Sequence, residues 1–259
     1  MAVNRRVNLG AKGEAWIVAD GEALAREAAS LVTSTLHVAV TTYGMGTVAL
    51  SGGSTPKRMG QIFAAEPYLS QMPWPSLEIF WGDERFVPLS SDESNAGVAK
   101  RIFLDQVPVA PGRVHPWQTE GVTPEQSAAN YQALLGERLP VENGFPRFDV
   151  VLLGMGDDGH TASLFPHTAG LQETEKWAIA NPVPQLDTTR LTITAPVINN
   201  ARMVIFLIGG AGKADRLAEV LEGDPDPDRL PSQRIQPHNG RLIWLVDEAA
   251  AARLSAIKG

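Results

Sequence analysis

His160 is the residue of this chain best suited to moving a proton. It lies in LGMGDDGHTASLFP, residues 153–166, directly after the apolar run FDVVLL. An imidazole exchanges a proton near neutral pH, and a glycine turn behind a buried strand is where open α/β sheets keep their active sites. Asp157 and Asp158 precede it, and either carboxylate can accept a hydrogen bond from one ring nitrogen and leave the other as a base. The plainer alternative is a histidine that caps a helix or fills a gap. Gly154, Gly156 and Gly159 also spell the G-x-G-x-x-G of dinucleotide sites. That reading is rejected: two aspartates would repel a pyrophosphate, and Pro166 follows too soon for a long helix. A metal set of Asp157, Asp158, His160 and Asp83 matches no defensible ligand spacing, so no metal is expected.

A second group of residues suits an anion. SGGSTP, residues 51–56, passes from an apolar strand through two glycines into a helix start. Gly52 and Gly53 let the backbone approach a ligand, a helix N-terminus offers free N–H groups to a phosphate, and Ser51, Ser54 and Thr55 add hydroxyl donors. A plain strand–helix turn remains the alternative. WGDERFVP places Asp83, Glu84 and Arg85 at a strand end, either as a surface turn or with Asp83 and Arg85 in a crevice, where a guanidinium suits an oxyanion. GGAGK, residues 209–213, lacks the first glycine and the Ser/Thr of a P-loop, yet Lys213 can still offer charge to a phosphate. Arg190, ahead of the strand LTIT, is a similar cation. His37, His115, His167 and His238 sit in no motif and are read as structural or exposed.

These residues need a scaffold. Residues 15–18 read as a first short strand. An Ala-rich helix with Asp20 as cap runs over about 21–42. TVAL, LEIFWGDERFVP, FDVVLLG, WAIA, RLTIT, MVIFLIGG and RLIWLVD read as further strands. Helices are expected from SSDESNAGVAKRIFL, from residues 123–139 behind a Thr-Pro start, from GKADRLAEVLEG ending at Gly223, and from the closing EAAAARLSAI. Strands alternating with helices predict an α/β fold with a Rossmann-like, mostly parallel sheet covered by helices on both faces. One domain over 1–259 is expected, with a small antiparallel excursion near 176–195.

Composition narrows the chemistry. The chain has 259 residues, 44% apolar and 20% charged, with a net charge of −7 and no cysteine. Thiol nucleophiles, thiolate metal sites and disulfides are excluded. The acidic balance argues against nucleic acid or a membrane surface as the main partner. No stretch approaches the roughly 20 apolar residues of a membrane span, and the N-terminal residues carry no signal-peptide core. A cytoplasmic location is expected. The sequence does not fix the oligomeric state; a monomer is the working expectation.

SGGSTP, WGDER, SDESNAGVA, LLGMGDDGHTASLFP and GGAGK, in this order and over about this length, resemble the 6-phosphogluconolactonase family of the glucosamine/galactosamine-6-phosphate isomerase superfamily. The resemblance runs from about residue 20 to the end, and GMGDDGHTASLFP is its most specific element. It implies hydrolysis of 6-phospho-D-glucono-1,5-lactone to 6-phosphogluconate in the oxidative pentose phosphate pathway, the fold of the sugar-phosphate isomerases and deaminases, a small phosphosugar lactone as the partner, and no cofactor. Under it His160 is the general base, with Asp158, Asp83 and Arg85 in the catalytic group. Ser51, Gly52, Gly53, Ser54, Thr55, Arg190 and Lys213 hold the phosphate. Two rivals stand beside it. A hexosamine-6-phosphate deaminase shares SGGSTP, the DGH turn and an aspartate at position 83, but the motif of that family has a glutamate five residues after the histidine, where this chain has Phe165. A non-catalytic sugar-phosphate sensor would keep the cradle and lose the base.

Overall fold

The computed structural model describes residues 3–255. Its strands are β1 (Val3–Asn8), β2 (Glu14–Val18), β3 (Gly46–Leu50), β4 (Leu77–Trp81), β5 (Asp83–Arg85), β6 (Val141–Glu142), β7 (Phe145–Pro146), β8 (Val150–Leu153), β9 (Ala178–Val183), β10 (Thr188–Ile193), β11 (Met203–Ile208) and β12 (Arg241–Asp247). The helices are α1 (Gly21–Tyr43), α2 (Ser54–Phe63), α3 (Tyr68–Gln71), α4 (Asn95–Ile102), α5 (Pro124–Arg138), α6 (Ala195–Asn199), α7 (Ala214–Glu222) and α8 (Glu248–Ala251).

Seven strands form the main sheet in the order β1-β2-β12-β11-β8-β3-β4. All neighbours pair parallel except β1 with β2. Strands β3, β4, β8 and β11 are buried at every position, as expected for a parallel sheet covered on both faces. The core includes Phe206 stacked on Trp244 at 3.9 Å between ring centres. The chain steps outward from β3 to β4, then returns to the other side of β3 to lay down β8, β11 and β12. Strand order therefore reverses between β3 and β8. At such a switch point two loops at the carboxyl ends of the strands part and leave a crevice.

Helix α1 follows the expected course. Asp20 Oδ1 accepts from Ala23 N at 2.8 Å, and Gly44, at φ +77°, ends the helix with its N–H on Val40 O. Helix α5 begins with a full capping box, in which Thr123 and Gln126 each bond the other's backbone N–H.

Three expectations need correction. Residues 77–88 are not one strand. The chain breaks at Gly82, whose N–H donates to Leu50 O while its carbonyl accepts from Ile193 N. Gly82 thus hands the chain from the main sheet to a second, antiparallel sheet ordered β5-β10-β9. Residues 15–18 are not the first strand, because β1 precedes them. Its sequence, VNRRVN, is polar and mostly exposed and carries no alternating apolar signal. The closing helix spans only Glu248–Ala251, and the Ala256 and Ile257 included in that expectation lie outside the described residues. Among the described residues no helix is long and apolar enough to cross a membrane.

Candidate active site

A cavity of about 290 Å³ opens where the carboxyl ends of β3, β4, β8 and β11 meet. Each strand delivers one group of chemically useful residues. The loop after β3 supplies Ser51 through Thr55. The segment after β4 supplies Asp83 and Arg85. The turn after β8 supplies Gly154, Gly156 and His160, and the loop after β11 supplies Gly209 and Lys213. Residues up to 162 positions apart in sequence, Ser51 and Lys213, thus share one wall.

The imidazole of His160 is held from several sides. Its Nδ1 lies 2.6 Å from Asp158 Oδ1, and the same oxygen accepts from the His160 backbone N–H at 3.0 Å. Burial pushes the Asp158 carboxyl up, but its hydrogen bonds with His160 and the charge of that residue outweigh this, and it sits below the ordinary aspartate value. An ionised Asp158 only accepts, so Nδ1 carries the proton. Nε2 has no protein partner among the described residues, and the residue lines the cavity. The ring also stacks on Phe165, with 4.0 Å between centres and 23° between planes. A Cβ on Gly156 would lie 2.1 Å from Nδ1, so only glycine lets the turn fold this closely around the ring.

The expected anion cradle falls at the start of α2. Gly53, at φ +112°, occupies the N-cap and supplies no side-chain cap. The first bond of the helix runs from Lys57 N to Gly53 O, and the N–H groups before it have no partner inside the helix. Helices α1, α4, α5 and α8 are capped by Asp20, Ser94, Thr123 and Asp247, whereas α3, α6 and α7 share with α2 the lack of a side-chain cap. Ser51 Oγ is buried without a hydrogen-bond partner. Gly52 sits so close to Asn95 that a Cβ would reach 2.0 Å from its Oδ1.

Not every expected residue faces the cavity. Asp83, nearly buried, lines it and accepts from Ser163 Oγ at 2.8 Å. Arg85 lines it and donates to Glu93 O at 2.5 Å. Lys213 lines it but is paired with Asp157 at 2.5 Å. Asp158 stands behind His160 rather than on the wall. Arg190 is also set back. It lies opposite Arg85 in the β5–β10 register, and burial, followed by the charge of Arg85, holds its guanidinium below the usual range. Its Nε is buried and unpartnered.

Sequence reasoning missed three supports. Glu84 is fully buried and accepts from the N–H groups of Arg85, Asn95 and Ala96 and from Ser94 Oγ, which fixes α4 against β5. Asn95 donates to Asp83 O. Asp247, at the end of β12, takes the Gly210 N–H on both oxygens and caps α8. The adjacent charges of WGDER were the signal for the first, the cap-rich run SDESN for the second, and the strand-ending aspartate of RLIWLVD for the third.

An open, mostly parallel sheet, a carboxylate-oriented imidazole and an uncapped helix start around one cavity make a site of the kind α/β enzymes use for acid–base chemistry on an anionic substrate. Residues 19–244 match the family described as Glucosamine-6-phosphate isomerases/6-phosphogluconolactonase, and the chain belongs to that family. The 6-phosphogluconolactonase of Synechocystis is 41% identical over 240 residues, spanning 92% of this chain and 97% of its own. The solved 6-phosphogluconolactonase of Trypanosoma brucei superposes with a TM-score of 0.83 at 28% identity, over 93% of this chain and 98% of its own. A monomeric glucosamine-6-phosphate deaminase shares the fold, with a TM-score of 0.75 at 18% identity over 92% and 99% of the two chains.

Proposed function

We propose that this chain hydrolyses 6-phospho-D-glucono-1,5-lactone to 6-phospho-D-gluconate, the second step of the oxidative pentose phosphate pathway. The observation that carries the reading is that the Asp158-oriented imidazole and the uncapped start of α2 open on one cavity. The Synechocystis and Trypanosoma brucei relatives, each matching more than nine-tenths of the chain, are 6-phosphogluconolactonases, whereas the deaminase that covers as much does so at only 18% identity. Phe165 stands where the deaminase motif has a glutamate, and a phenyl ring transfers no proton.

In this reading Nε2 of His160 takes a proton from water as the hydroxide oxygen bonds to the lactone carbonyl carbon. The carbonyl electron pair moves to its oxygen, and Arg85 or a glycine-turn N–H stabilises the oxyanion. Collapse breaks the bond to the ring oxygen, which receives the proton from the imidazolium and leaves as a hydroxyl. Asp158 keeps the imidazole in the reactive tautomer, and Asp83 fixes the turn through Ser163. The start of α2 and Lys213 hold the phosphate, with Arg190 adding positive charge from behind Arg85, and so fix the ring beside the base. The same reading takes the chain as one domain, with β9 and β10 as an arm on it, and as a cytoplasmic monomer.

The test is acid release from freshly made lactone, measured against the spontaneous rate. The wild type should exceed the blank, and His160→Ala should lower kcat by about 10²–10⁴-fold. Release equal to the blank, or ammonia formed from glucosamine 6-phosphate, overturns the reading.

A further inference from the structure

We infer that Phe165 is a positioning residue for the reaction, fixing the plane of the His160 imidazole without touching the substrate. The inference rests on the proposed role of His160 as base. The lone pair of Nε2 lies in the plane of the ring, so a tilted ring aims it away from the attacking water. The Nδ1 hydrogen bond to Asp158 fixes one edge of the ring but leaves the ring free to tilt about that edge. The last torsion of a histidine side chain has a broad energy well and does not prevent this. A flat, buried face 4.0 Å away does, and Phe165 provides one.

Phe165 is itself firmly seated. It is 6% exposed and lies outside the cavity wall formed by His160, Arg85 and Lys213. Its carbonyl accepts from the backbone N–H and the hydroxyl of Thr168, at 3.3 and 2.8 Å. Asn181 of β9 donates to that hydroxyl at 3.0 Å and to Ser163 O at 2.9 Å. A continuous set of contacts therefore runs from the antiparallel arm through Asn181, Thr168 and Phe165 to the imidazole. This gives β9 a part in the reaction although none of its residues lines the cavity.

The test compares Phe165→Leu, which keeps apolar bulk and loses the flat face, with Phe165→Tyr, which restores the face. Rates are taken per folded molecule, with the folded fraction read by circular dichroism. Phe165→Leu should lower kcat about 3- to 10-fold, the scale of one aromatic stacking contact, with KM unchanged within about twofold. Phe165→Tyr should recover most of the loss. In Asp158→Asn/Phe165→Leu the combined loss should be smaller than the product of the two single losses, because both residues act through one ring. Should Phe165→Leu fail to fold, Phe165→Met reads the same effect. Wild-type kcat in the Leu or Met variant, or a Tyr variant no better than Leu, overturns the inference. A His160→Ala variant with full activity instead overturns the underlying role of the base, which separates the two failures.

Discussion

The two aspartates of GMGDDGH part company in the fold. Asp158 turns back on His160 through a local turn in which its Oδ1 takes the His160 N–H two residues on, a habit of aspartate in tight turns. Asp157 points the other way, to Lys213. The pairing of an aspartate with His160 was legible in the sequence, but which aspartate makes it was not, since both carboxylates lie within three residues of the histidine and only the turn separates them. Lys213 and Arg190 were both read as cations for the phosphate, Arg190 with the weaker case, because the sequence gives neither one's distance from the glycine turns. The structure puts Lys213 on the cavity wall and Arg190 behind Arg85. Lys213→Ala should therefore raise KM for the lactone roughly tenfold, the scale of one charged hydrogen bond, with a smaller change in kcat. Arg190→Ala should raise KM less. Initial-rate kinetics check both, and the reverse order would place the phosphate beside the arginine pair.

Elements were legible where apolar runs and caps agree. The strands leading into SGGSTP and GMGDDGH, and the Thr-Pro start of α5, announce themselves. The handover at Gly82 does not, because LEIFWGDERFVP reads as one extended run and the cause of the break lies elsewhere, in Leu50 and Ile193. Glu84, just beyond that break, makes the handover testable. Burial, its largest influence, pushes its carboxyl above the ordinary value of 4.5 despite three backbone N–H groups that favour the charged form. The folded protein then binds this proton more tightly than the unfolded chain. Its contribution to stability is complete below the ordinary value and declines as pH rises through the raised one. Glu84→Gln lacks this titration. The stability of the wild type relative to the variant should fall as pH rises from about 4.5 toward neutrality, read from urea midpoints at stepped pH. A pH-independent difference would show that the residue titrates alike in both states.

At the scale of the molecule, a net charge of −7 surrounds a cavity whose proposed anion-binding groups are local: the start of α2, Arg85 and Lys213. Fold class followed from the alternation of strands and helices. The meeting of four strand ends at one crevice required the strand order, which short-range periodicity does not encode. That order has a kinetic consequence. β3 and β8 are neighbours in the sheet, yet about a hundred residues of chain separate them. High contact order slows folding, because long loops must close before their contacts stabilise anything. Helical signal should return early after dilution from denaturant, whereas lactone turnover should return only with the slowest conformational phase.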